Sequence, residues 1–249
     1  MTRNRALQQA VRERAARTGE KYSAARRALV EQPPVDTRFE RQLRTLLDRG
    51  YADAAGVTRS QLADRLAPLA ARVPGNARGR IPFVIVVGRD VVSAGDAIRR
   101  VEREGASAAS VLDDDELARF VPIEGVELPD GPAYVLVDVD TGRETRNVRP
   151  DDALVSIRAA GRSPLTIEEG IAVVTHHPET IARNDGWSLL ASRCGDRRVG
   201  ALWISKGAPK LGWCWAGNPH TGSARRRARR ASASDSTTPR SCRTPTAAG

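Results

Sequence analysis

The order of periodicities along the chain predicts an α+β fold: N-terminal helices, mixed central strands and helices, and C-terminal antiparallel strands. Three observations carry this. Apolar residues recur at helical spacing as far as residue 72, a β-branched run fills Ile81–Val87, and beyond Trp187 the pattern shortens to strand-like segments. Helices and strands are segregated rather than alternating, which argues against a regular βαβ repeat.

Residues 6–17 place Leu7, Ala10 and Val11 on one side, Gly19 breaks the pattern, and 22–30 resume it with Tyr22, Ala25 and Leu29. This helix, turn, helix element has too thin an apolar stripe to fold alone, so it calls for a partner surface. Gln32-Pro33-Pro34 then stiffens the backbone and removes amide donors, which sets a boundary: a basic helical leader at 1–34, and one α+β domain at 35–221.

Within the domain, Phe39, Leu43, Leu46 and Leu47 predict a helix over 37–48 with Gly50 as its stop, and Leu62, Leu66 and Leu69 a second over 60–72. Ile81–Val87 reads as a strand buried on both faces. Ser93 opens a helix running to about 104, and Asp113 caps a short acidic helix to 120. Residues 133–140 alternate like a strand, and Thr141-Gly142 turns them toward a second strand at 143–148. Asp151 is read as the cap of a helix ending near 160. Thr166 and Glu169 have capping-box spacing, predicting a helix over 167–175. Strands are expected at 188–192, 199–205 and 211–215, the last two joined by a loop at 206–209.

The formal charge of +10 is unevenly placed. Residues 1–30 carry +6 and 222–249 carry +6, which leaves −2 for the span between them. A basic leader on a mildly acidic body points to a protein or nucleic-acid partner engaged through residues 6–30. Only Lys21, Lys206 and Lys210 are lysines, an arginine preference that GC-rich coding also produces. Residues 222–249 contain no Leu, Ile, Val, Met or aromatic residue, so the expectation there is a disordered Arg-rich tail. Cys194, Cys214 and Cys242 cannot close a disulfide set, and no secretory signal opens the chain, so a reducing cytoplasm is the expected compartment. No apolar run reaches the roughly 20 residues needed to span a bilayer, so no membrane is expected.

The chain lacks a Gly-Lys-Ser/Thr phosphate loop, a strand-linked Gly-x-Gly-x-x-Gly, His-Glu-x-x-His and Cys-x-x-Cys. Gly186-Trp-Ser188 lacks the final glycine of a nucleophile elbow. Three weaker constellations remain. His176, His177, Cys194, Cys214 and His220 supply the donor types zinc prefers, against a bland reading as helix-end imidazoles and small core thiols. Cys194 with His176 or His220 as base is the nucleophilic version, with Arg193, Arg197 and Arg198 nearby to favour a thiolate. Asp138 and Asp140 share a strand face that suits a hard cation or an ordinary polar turn. Trp203, Trp213 and Trp215, rimmed by Lys206 and Lys210, form the candidate ligand surface; such rings more often close a core. The favoured function is a cytosolic binding or regulatory module, and the alternative is a metal-dependent or cysteine-dependent hydrolase.

Ile81-Pro-Phe-Val-Ile-Val-Val87, Thr175-His-His-Pro-Glu179, Ser192-Arg-Cys-Gly-Asp196 and Gly212-Trp-Cys-Trp-Ala-Gly-Asn-Pro-His220 resemble an actinobacterial family of unknown function over about 36–221. The resemblance implies a family and no activity. Similar chains continue beyond Asn218-Pro-His-Thr221 with aromatic and small apolar residues, whereas Gly222-Ser-Ala-Arg-Arg226 departs from that, which suggests a shift of reading frame from about residue 222.

Overall fold

A computed structural model describes residues 8, 9, 12, 15, 21–23, 37–74, 81–219, 222, 223, 225–227, 231 and 232. The chain divides into two compact units, 1–41 and 42–249. In the first, residues 8, 9, 12, 15, 22 and 23 are helical and residue 21 is not; the remainder of the expected leader pair at 6–30 lies outside the described residues.

The helix α1 (Thr37–Asp48) runs from the first unit into the second and is followed by Gly50 at φ 72° and one short turn, α2 (Tyr51–Ala54). Next, α3 (Arg59–Leu66) starts one residue earlier than its apolar spacing indicates. A Thr58/Gln61 capping box satisfies its first amides. It stops at Leu66, and Ala67–Arg72 continue as a 3-10 helix around Pro68, which has no amide hydrogen for the α-helical ladder. That segment packs against the sheet strand β6 described below.

Two sheets and the helix between them make the body. Strand β1 (Ile81–Val87) is followed by α4 (Ala94–Arg99), capped by Ser93, and by β2 (Glu102–Arg103) and β3 (Ala106–Ser107). The helix is shorter than expected because Glu104 at φ 52° and Gly105 at φ 79° make a tight hairpin turn. After β4 (Ala109–Ser110) comes α5 (Asp114–Ala118) with its Asp113/Glu116 capping box, then β5 (Val121–Pro122) and β6 (Ala133–Val139). The second strand expected at 143–148 does not form. The Asp140 carboxylate accepts from Gly142 N at 2.6 Å, and Thr145 closes on the Gly142 carbonyl through its hydroxyl at 2.7 Å. These local bonds divert the chain into a 3-10 turn, and β6 pairs with β1 instead, Phe83 opposite Val137.

In α6 (Pro150–Ala159) the proline occupies the first position, so Asp151 sits inside the first turn rather than capping it. Short β7 (Arg162–Pro164) leads into α7 (Ile167–His176), where the Thr166/Glu169 capping box is present as its spacing predicts. Then β8 (Trp187–Arg193), β9 (Arg198–Ser205) and β10 (Ala208–Trp215) form an antiparallel meander. Lys206 at φ 52° and Gly207 at φ 81° make the β9–β10 turn.

Helix α7 is apolar around nearly its whole circumference, and Ile167 through Thr175 are all buried. One side meets the β8–β9–β10 sheet, where a Cβ at Gly170 would fall 2.4 Å from Leu189 Cδ2 and one at Gly200 2.9 Å from Ile167 Cγ1. The other side meets β1 and β6: Tyr134 donates to the buried Glu169 carboxylate at 3.1 Å, and His176 bonds Ile85. Helix α6 covers the opposite face of the second sheet, with Ala153 and Ile157 packed among Leu190, Val199, Ala201 and Cys214.

Backbone pairing continues past 221. Gly222–Ser223 (β11) runs parallel to β8, Arg225–Arg227 (β12) pairs with β7, and Ala231–Ser232 (β13) with β6. Residues 233–249, with Cys242, lie outside the described residues. Among the described residues no helix is long and apolar enough to cross a membrane.

Candidate functional site

Strand alternation decides which of the sequence-selected side chains meet. Lys210 pairs with Trp203, Gly212 with Ala201 and Cys214 with Val199, which puts Trp203, Lys210 and Cys214 on the α6 face. Trp213 pairs with Gly200 and Trp215 with Arg198 on the opposite face. The three tryptophans therefore form a pair and a single ring. Trp213 and Trp215 meet edge to face at 4.8 Å, with the Arg198 guanidinium 5.7 Å from the Trp213 ring centre. Lys206 stands exposed in the hairpin turn.

Trp203 lies in a bed of missing side chains. A Cβ at Gly212 would fall 2.6 Å from Trp203 Cη2 and 2.5 Å from Val111 Cγ2, and one at Gly186 would fall 2.9 Å from Trp203 Cβ. A side chain at Gly212 would run into the indole ring, and one at Gly186 into the Leu202 carbonyl oxygen at 2.6 Å. Beside Trp203 opens a cleft of about 440 Å³, lined by Asn184, Gly186, Ala201, Trp203, Ile204, Trp213 and Cys214. Ser188 and Cys214 are hydrogen-bonding partners at 3.4 Å on this same face. A volume of this order falls within the roughly 300–1,000 Å³ of small-molecule pockets.

The sheet separates His176 from Cys214. His176 ends α7 on one side, its Nε2 3.1 Å from the Ile85 carbonyl oxygen. Cys214 faces α6 on the other. Burial lowers the His176 pKa to about 3, outweighing the favourable bond to Ile85, so the ring is neutral and Nε2 carries the proton that it donates. That leaves Nδ1 shielded and without a hydrogen-bond partner among the described residues. His177 turns to Glu179 at 3.2 Å, and His220 lies outside the described residues.

Cys194 is buried, and its thiol donates to Asp196 at 3.2 Å. Burial first, then that bond, raises its pKa; the pull of Arg198 is weaker, because Arg198 is itself engaged by Asp196 at 2.9 Å. The neighbouring arginines thus do not produce the thiolate that their number suggests. Asp138 pairs with Arg162 at 3.1 Å and Asp140 caps the Gly142 turn; both line an acidic cleft of about 370 Å³ with Glu144 and Glu179. Among the described residues no group of three or more His, Cys, Asp or Glu side chains gathers to hold a metal ion.

Sequence reasoning missed Arg89 and Glu168, an ion pair formed across 79 positions and largely withdrawn from water. Its nearest sequence signal is Glu168 inside the capping-box motif, where acidic residues are common for local reasons.

The fold and the cleft together define a mixed α+β protein built around one buried helix, with an aromatic-walled pocket on the outer sheet. The chain belongs to a family of unknown function (DUF5701), whose model matches residues 45–232. No curated protein and no solved structure matches it. The family match continues past residue 221, where the resemblance read from the motifs stopped.

Proposed function

We infer that this protein is a binding module, cytosolic in setting, whose body holds a small, flat, mainly apolar ligand against Trp203. The single observation that carries the reading is the cleft beside Trp203. Gly186 in its wall has no side chain to fill it, and the half-buried indole borders the open volume. Lys210, directly across from Trp203, supplies a cation at the rim for a ligand with an anionic edge. The basic leader is the second interaction element of this reading, supported by the charge of +6 on residues 1–30.

Native mass spectrometry of the full chain tests the pocket. A retained small molecule is expected in the wild type, lost in Trp203→Ala and kept in Trp203→Phe. A wild-type chain with no retained molecule, or retention unchanged in Trp203→Ala, would sink the reading. For the leader, titration with duplex DNA should show affinity that falls steeply with salt and is abolished by deleting residues 1–34. Equal binding by the deletion variant would remove nucleic acid from the account.

A further inference from the structure

The cleft beside Trp203 has no carboxylate in its lining. The cleft of about 370 Å³ at the end of β6 is the reverse, lined by Asp138, Asp140, Glu144 and Glu179. Asp185, next in the chain to the lining residue Asn184, is held both by Arg143, at 3.3 Å, and by Arg146. Its negative charge is therefore more than offset before it can act on the Trp203 cleft.

Cations beside this cleft are in the opposite condition. Arg183 directly precedes Asn184, Lys206 follows Ile204 by two residues in the β9–β10 turn, and Lys210 lies opposite Trp203 in the β9–β10 ladder. None of the three has a hydrogen bond or ion pair among the described residues. Arg143, Arg146, Arg162, Arg193 and Arg198, on neighbouring elements, each hold a carboxylate. The strand neighbours of Lys210 offer it no counter-charge, since Trp203 stands on one side and Ala109 on the other. Arg183 and Lys206 are exposed and Lys210 is half-buried, so long stems can carry all three charges to the cleft mouth.

Three like charges around one concave, largely apolar surface add their fields, and the potential concentrates where water screens it least. A neutral ligand gains nothing from that field, and a monoanion gains only part of it. We propose that the ligand of the Trp203 cleft is a flat ring system carrying a dianionic group of phosphate-monoester chemistry, selected by the charges of Arg183, Lys206 and Lys210. This deepens the Trp203 reading and rests on it. The ring meets the apolar walls at Ala201, Trp203 and Ile204, and the dianion lies at the rim among the cations. A phosphate monoester carries about two negative charges near neutral pH and accepts through three oxygens, which suits three separate donors.

The test is calorimetric titration of the full-length protein at pH 8 and low salt with 2-naphthyl phosphate, 2-naphthoate, 2-naphthol and inorganic phosphate. Affinity should rise from 2-naphthol through 2-naphthoate to 2-naphthyl phosphate by about tenfold or more, and the gap should narrow as salt is raised. Arg183→Gln, Lys206→Asn and Lys210→Gln should each weaken 2-naphthyl phosphate about two- to fivefold and leave 2-naphthol unchanged, whereas Lys210→Arg keeps the wild-type order. These positions are exposed or half-buried, and Asn tolerates the φ of 52° at residue 206, so the variants should fold. Trp203→Ala should weaken all three naphthyl ligands alike. Equal binding of 2-naphthol and 2-naphthyl phosphate, or a triple variant that retains the full charge preference, overturns the inference and leaves the apolar cleft standing. Inorganic phosphate bound as tightly as 2-naphthyl phosphate would place the anion apart from the cleft and overturns it too. If no naphthyl compound binds, the Trp203 reading fails and this inference with it.

Discussion

His176 Nε2 and the Ile85 carbonyl oxygen are 3.1 Å apart, and the bond joins the end of the central helix to the outer edge of β1. Gln42 completes that edge. Its amide nitrogen donates to Phe83 O at 3.0 Å, and its amide oxygen accepts from Ile85 N at 2.8 Å. Two side chains thus do for this edge of β1 what a neighbouring strand does elsewhere in the sheet.

The neutral state of His176 makes stability depend on pH in a definite direction. Its folded pKa, about 3, lies below the ordinary value of 6.5, so between those limits the unfolded chain binds the extra proton. The contribution is fully present above pH 6.5 and declines as pH falls toward 3, with a slope of about 1.4 kcal/mol per pH unit at most. Denaturant unfolding at pH 4, 5, 6 and 7 should show this loss, and His176→Gln should flatten it.

Gln42→Leu keeps the helix but removes both partners of the β1 edge. Leaving Ile85 N buried without its acceptor should cost about 1–3 kcal/mol. Hydrogen exchange at the Ile85 amide should accelerate more than at amides of β9; uniform protection would contradict the capping role.

Gly170→Ala ordinarily stabilises a helix by up to about 1 kcal/mol. Here the sign should reverse. The new methyl meets Leu189, which is fully buried and has nowhere to move, so overpacking should destabilise the protein by about 1–3 kcal/mol in thermal unfolding. A raised melting temperature would show that helix and sheet can part at this contact.

Cys194 should alkylate more slowly with iodoacetamide at pH 8 than an unhindered thiol, because burial and the Asp196 carboxylate both oppose its thiolate. Asp196→Asn should speed the reaction measured by peptide mass mapping. A wild-type rate equal to that of free cysteine would reopen the nucleophilic reading of this residue.

Some of this molecule is legible before any fold is known. Thr166 and Glu169 announce the start of α7 because a capping box is satisfied within four residues, and the unbroken run of Ile81–Val87 requires cover on both faces. Alternation puts Trp213 and Trp215 together and Cys214 away from them. All of these signals are local, and local geometry suffices to read them.

What only the tertiary structure decides is which distant groups meet. The third tryptophan joins the thiol rather than the other two rings, because the register of β9 against β10 sets its face. The histidine and cysteine cluster disperses, because a sheet lies between α7 and Cys214. Residues 143–148 turn instead of pairing, and the edges of β6 are taken by β1 and β13. Arg89 finds Glu168 across 79 positions, and neither residue carries a sign of the other in its own neighbourhood. Sequence alone determined the kinds of elements and the uneven charge. The sites came from packing, because burial and long-range hydrogen bonding depend on neighbours that periodicity does not name.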